Sequence, residues 1–207
     1  MIGIAIPVKR LPLAKSRLAG VLDPASRQRL VLRLVRHVIS TAQQAITRRN
    51  LTGHIWLVSA DDTVAAMAAT YNVQWLRDRH EELNLALNEA RTQLERYGTH
   101  TMIVLAGDLP FLTATDIITI YDALAEADLV LAPDQERSGT NALAIRLPSP
   151  IPFQFGLNSA ARHLNAATNL GLRTCLVETP SLAFDLDDSE RLRQFCCALY
   201  DDRLRCR

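Results

Sequence analysis

Short runs of valine, isoleucine and leucine alternate along this chain with longer stretches in which apolar residues recur every three or four positions. The first pattern is that of strands buried on both faces; the second is that of helices with one apolar stripe. Strands are predicted near 3–8, 55–59, 73–76, 101–106, 128–132, 141–147 and 173–178. Between the first two, Leu30, Val31, Leu34, Val35, Val38, Ile39, Ala42 and Ile46 mark one helical face, with Arg27, Arg29, Arg33 and Arg36 mostly off it. Further helices are predicted near 61–70, 81–97, 114–126, 158–170 and 188–204. Thr113 and Asp116 stand at the start of one. Asp188, Ser189 and Glu190 open the last, and Arg203, Arg205 and Arg207 fall at its electronegative end. Such alternation builds an α/β fold, a mostly parallel central sheet with helices on both faces.

No internal repeat, low-complexity tract or long linker divides the 207 residues, so residues 1–207 are expected to form one domain with a sizeable core. The one stiff segment is 148–152, PSPIP, where proline ends the strand before it. Charge is nearly balanced, 23 basic against 22 acidic residues, which argues against an extended nucleic-acid or membrane surface. No apolar run approaches the roughly 18 residues that cross a bilayer. The N-terminal MIGIAI enters a strand with no basic leader before it, so a cytoplasmic location is expected. Cys175, Cys196, Cys197 and Cys206 show neither zinc spacing nor a CxxC pair and fit a reduced protein.

Candidate chemistry gathers at strand ends. Residues 104–110, VLAGDLP, read as a buried strand ending on Asp108 and stopped by proline. Ligands of open α/β sheets collect at such carboxyl ends, and a carboxylate without a glycine-rich phosphate loop suggests a metal ligand; a helix cap is the plainer alternative. After the first strand, Lys9, Arg10, Lys15 and Arg17 crowd one loop with neither GxGxxG nor GxxxxGK[ST], so any phosphate bound there is neutralised by side chains; a solvated basic loop is the plainer alternative. In residues 134–143, DQERSGTNAL, the small donors Ser138 to Asn141 suit a phosphate or carboxylate, though a simple hairpin turn accounts for them as well. In 155–163, FGLNSAARH, Gly156 allows close backbone approach and Asn158 or Ser159 would cap a helix start; His163 alone reads as a packed or surface residue. Finally, Asp185 and Asp187 lie at i and i+2 of an extended stretch, on one side, where they could face Asp108. Three such carboxylates repel one another unless a divalent cation neutralises them; a helix start rich in capping acids is the alternative, which accounts for Asp188 better than for Asp185.

Taken in order, IPVKRLPLAKSRLA, GDLPFL, PDQERSGTNAL, FGLNSAARH and DLDD closely resemble the CofC family, and the resemblance runs nearly end to end. That family comprises the guanylyltransferases of deazaflavin coenzyme F-420 biosynthesis, single-domain nucleotidyltransferases of the GT-A type. The resemblance implies that Asp108, Asp185 and Asp187 hold Mg²⁺, and that Thr140, Gly156 and Ser159 bind a phosphorylated three-carbon acid. It further implies that Lys9, Lys15 and Arg17 take the triphosphate of GTP, with Asp108 and Lys15 as the catalytic residues. Asn84 matches a nucleotide-binding Gly-Leu-Asn segment, with Glu82 in place of the glycine. The acceptor would be phosphoenolpyruvate, 2-phospho-L-lactate or 3-phospho-D-glycerate. The partners are thus GTP and a small acid, not nucleic acid or membrane, with a homodimer left open. The alternatives are another nucleotidyltransferase of this fold, acting on a molybdopterin or sugar phosphate, and a non-catalytic nucleotide-binding module.

Overall fold

Seven strands form one sheet: β1 (Ile2–Pro7), β2 (Gly53–Ser59), β3 (Gln74–Arg77), β4 (Thr101–Leu105), β5 (Leu129–Pro133), β6 (Thr140–Arg146) and β7 (Thr174–Leu176). This computed structural model describes residues 1–80 and 82–205, and for 200–205 the backbone only. The order across the sheet is β3-β2-β1-β4-β6-β5-β7. Only β6 runs against its neighbours, pairing antiparallel with both β4 and β5. The helices are α1 (Pro24–Arg48), α2 (Asp62–Thr70), α3 (Leu83–Arg96), α4 (Ala114–Ala123), α5 (Ser159–Asn169), α6 (Pro180–Ala183) and α7 (Ser189–Arg205).

Alternation along each strand divides the core between two faces. Ile4 and Ile6 of β1, Ile103 and Leu105 of β4 and Val130 of β5 pack with Val35, Val38 and Ile39 of α1, Val64 of α2 and Ile117 and Ile120 of α4. On the other face Ala5, Met102, Val104, Leu129 and Leu143 meet Leu87, Ala90 and Leu94 of α3 and Ala160 and Ala167 of α5. Gly3 lets α3 close in, because a Cβ there would run into the Leu94 side chain.

All seven predicted strands form, each shifted by no more than two residues at either end. The helix that carries the apolar face from Leu30 to Ile46 begins at Pro24, where the Asp23 carboxylate accepts from the Ser26 N–H at 2.9 Å and caps it. Thr113 and Asp116 form a reciprocal capping box on α4, which ends at Ala123 rather than 126. The predicted helix 81–97 is seen as α3; Glu81 lies outside the described residues, as do Cys206, Arg207 and the side chains of Arg203 and Arg205.

Strand order reverses at β1, whose neighbours are β2 on one side and β4 on the other. The carboxyl ends of β1 and β4 therefore flank the crevice in which open sheets hold their ligands.

Candidate active site

Beyond β1 the chain makes two short 3-10 turns, Leu11–Leu13 and Ser16–Leu18, that the sequence pattern does not show. Leu11, Ala14 and Leu18 anchor them in the core, and the Asp61 carboxylate accepts from the Leu11 N–H at 2.9 Å. Burial pushes the Asp61 pKa up, but the hydrogen bonds from Leu11 and Thr63 outweigh it and hold the group below the usual carboxylate range. Between the turns Lys15 takes a left-handed backbone conformation, φ 53°, which bulky residues adopt rarely. Its side chain turns inward and is only 8% exposed.

At the end of β4, the Ala106 N–H donates to the Asn141 carbonyl at 2.8 Å and Leu109 is buried. Between them Gly107 packs closely: a Cβ would stand 3.3 Å from Val35 and 3.4 Å from the Pro7 carbonyl. Asp108 thus leaves the strand in a fixed place. The third segment is the loop 184–188 between α6 and α7. The Leu186 N–H donates to the Asp108 carbonyl at 3.1 Å, while the Leu186 side chain sinks among Leu18, Leu34 and Phe195. With Leu186 inward, the extended geometry turns Asp185 and Asp187 to the opposite side. Upstream, the Asn141 amide donates to the carbonyls of Leu182 and Ala183, and the Thr179 and Ser181 hydroxyls donate to Asp116.

These three segments meet on Lys15. Its ammonium donates to Asp108 Oδ2 and, at 2.8 Å, to Asp187 Oδ1, and Arg17 stands 3.6 Å from Asp187 Oδ2. Burial pulls the Lys15 pKa down, but the Asp108 and Asp187 charges overcome it and raise it. Asp187 mirrors this: burial pushes it up, and the Lys15 charge brings it lower. Asp185 is pushed up to about 6 by burial and by the negative charges of Asp108 and Asp187, which outweigh the opposing pull of Arg191. Among the described residues no three acidic, imidazole or thiol groups are gathered at coordinating distance. The donor set is nonetheless all oxygen, the kind a hard divalent cation takes, and at Asp185 the negative charges of Asp108 and Asp187 outweigh the positive charge of Arg191.

The hairpin between β5 and β6 is organised by Asp134. Its carboxylate accepts from the Ser138 N–H at 2.7 Å, the Gly139 N–H at 2.8 Å and the Ser138 hydroxyl at 3.2 Å. The donors that the sequence suggested for an anion are therefore spent on the turn itself, and Thr140 is the residue that reaches the cleft. Ser159, buried at the start of α5, donates its hydroxyl to Thr140 Oγ1 at 2.9 Å. Asn158 precedes it with φ 53° and makes no side-chain cap, so neither Asn158 nor Ser159 caps α5 as expected. Gly156 has φ +122°, a conformation that favours glycine.

The cleft has a volume of about 550 Å³. Of the expected site residues, Lys9, Lys15, Arg17, Asp108, Thr140 and Asp187 line it. Asp185, Gly156 and Ser159 stand outside the lining, tied to it through neighbours. Asn84 departs furthest from expectation. Its amide grips the Phe155 backbone at both ends, accepting from the N–H at 2.8 Å and donating to the carbonyl at 3.2 Å, so it braces the wall. Phe155, Asp78, Leu83 and Ala86 line the cleft although sequence reasoning passed over them. The residues 83–87 do follow a helical pattern, which a wall helix and a core helix share.

The model of a family described as guanylyl transferase, CofC like, matches residues 2–198. A phosphoenolpyruvate guanylyltransferase of Chloroflexus aggregans is 67% identical over 198 residues, covering 96% of this chain and 98% of the relative. One of the same name from Chloroflexus aurantiacus is 54% identical, covering 99% and 100%. Among solved structures, a nucleotidyl transferase from Methanothermobacter superposes with a TM-score of 0.65 at 14% identity, covering 100% of this chain and 99% of that one. It shares the fold.

Proposed function

The chain belongs to the CofC-like guanylyl transferases, and from that premise we propose that it transfers the guanylyl group of GTP to phosphoenolpyruvate and releases pyrophosphate, in the synthesis of coenzyme F-420. The observation that carries this reading is the meeting of Asp108, Asp187 and Lys15 in a cleft also lined by Lys9 and Arg17, at the reversal of strand order. Basic side chains there suit a triphosphate that has no glycine-rich cradle.

In the reaction an oxygen of the acceptor phosphate attacks the α-phosphorus of GTP. A new P–O bond forms as the bond to the bridging oxygen breaks, and pyrophosphate leaves with that electron pair. A phosphate oxygen is already anionic at neutral pH, so no general base is required. Lys9, Lys15 and Arg17 neutralise the triphosphate, and Thr140, with Ser159 and Gly156 behind it, aligns the acceptor. Asp108, Asp185 and Asp187 would hold Mg²⁺, which when bound offsets the charge of the phosphate oxygens. The nearly neutral chain, with no described helix long and apolar enough to cross a membrane, fits work on small molecules in the cytoplasm.

Pyrophosphate release from GTP or CTP, with phosphoenolpyruvate, 2-phospho-L-lactate, 3-phospho-D-glycerate or a hexose phosphate, tests this directly. Release is expected with GTP and phosphoenolpyruvate above all other pairs. Preference for CTP or for the hexose phosphate would overturn the reading.

A further inference from the structure

His163 takes no place in the cleft lining, yet two hydrogen-bonded arms radiate from it toward the acceptor side. It is completely buried on α5. Its Nε2 lies 2.8 Å from the Gln154 N–H, which can only donate, so Nε2 is the bare, accepting nitrogen. In the neutral ring the proton is then on Nδ1, which faces Thr140 Oγ1 at 3.2 Å and donates to it. Thr140 Oγ1 also accepts from the Ser159 hydroxyl. With both acceptor positions of that oxygen taken, its own proton is free for a further acceptor, and Thr140 lines the cleft.

The same imidazole steadies the neighbouring wall. The Gln154 N–H that it accepts begins the stretch 154–156, and Phe155 packs its ring edge-on against His163 at 4.9 Å. Asn84 clamps the Phe155 backbone from the other side. Burying an imidazole costs free energy that an apolar side chain of similar size would avoid, a cost offset here by what its two nitrogens hold.

We propose that His163 is a positioning residue that aims the Thr140 hydroxyl proton at the acceptor's anionic group and locks the 154–156 loop beside it, thereby setting the affinity for the phosphorylated acid. This rests on the reading of Thr140 as an acceptor-binding residue, and the variants are chosen to separate the two.

His163→Gln keeps an acceptor near Nε2 but withdraws the donor to Thr140; His163→Asn keeps a donor near Nδ1. With phosphoenolpyruvate as the acceptor, His163→Gln is expected to raise its KM about tenfold, the loss of roughly one hydrogen bond, with the KM for GTP unchanged. His163→Asn should recover most of that loss. Thr140→Val should raise the same KM, and adding His163→Gln to it should make nothing worse. If Thr140→Val raises the acceptor KM while His163→Gln does not, the inference on His163 falls alone. If Thr140→Val leaves that KM unchanged, the acceptor assignment falls and takes this inference with it. Equal damage by Gln and Asn, with the GTP KM moved as well, would mean a packing role only and overturn the proposal. Nitrogen-15 chemical shifts of the wild-type imidazole give a check that needs no variant: a proton on Nδ1 supports the arrangement, and one on Nε2 contradicts it.

Discussion

His163 and Asp185 show how far one environment can move an ionisable side chain from its behaviour in water. Burial, reinforced by the Arg162 charge, pushes the His163 pKa down to about 4. The unfolded chain takes up that proton near 6.5, so between the two values the unfolded state binds more protons and stability rises with pH. The contribution is complete above 6.5 and is lost as pH falls toward 4, by up to about 3 kcal/mol. Urea denaturation at pH 7.0 and 4.5 should therefore cost the wild type about 2 kcal/mol more than His163→Gln. Equal losses in the two proteins would contradict the assignment. At this scale the sequence is readable where a residue's type already states its chemistry, as with Asp108, Lys15, Asp185 and Asp187. It is silent where a role comes from tertiary partners. Nothing near Asn84 in sequence announces its grip on the Phe155 backbone, and nothing near His163 announces Thr140, which is 23 positions away.

Elements carry these side chains to one place by burying what lies between them. The stretch 184–188 has no regular structure, yet Leu186 is fully buried with Leu18, Leu34 and Phe195 and its N–H is bound to the Asp108 carbonyl. One apolar side chain thereby ties the loop after β1, the helix α1 and the Asp185–Asp187 pair together. Leu186→Ala should cost about 2–5 kcal/mol in urea denaturation, the range for opening a cavity of this kind. Turnover should fall further than the remaining folded fraction accounts for, because both carboxylates lose their anchor. A variant with wild-type activity per folded molecule would show that the anchor is unnecessary. The strands are plain as short apolar runs rich in valine, isoleucine and leucine, the mark of a sheet buried on both faces. The turns at Leu11–Leu13 and Ser16–Leu18 and the short α6 are not. Each spans three or four residues and includes or adjoins proline-rich or basic loops, too short for any period to register. The start of α1 was in fact written in Asp23-Pro24, a cap followed by the residue best suited to the first helical position.

At the scale of the molecule, the sheet order places the ends of β1 and β4 side by side, and the chain returns after α6 to add the last two carboxylates. Fold and family follow from that arrangement and from the matched relatives; the metal-dependent use of the cleft is what experiment must now decide. The direct measurement is the Mg²⁺ dependence of pyrophosphate release from GTP and phosphoenolpyruvate, for the wild type, Asp108→Asn and Asp185→Asn. Release should cease in a chelator and return with Mg²⁺; Asp108→Asn should fold and lose activity at least about 100-fold, and Asp185→Asn should need about tenfold more Mg²⁺. Undiminished release in the chelator, or wild-type Mg²⁺ dependence in both variants, would contradict the account.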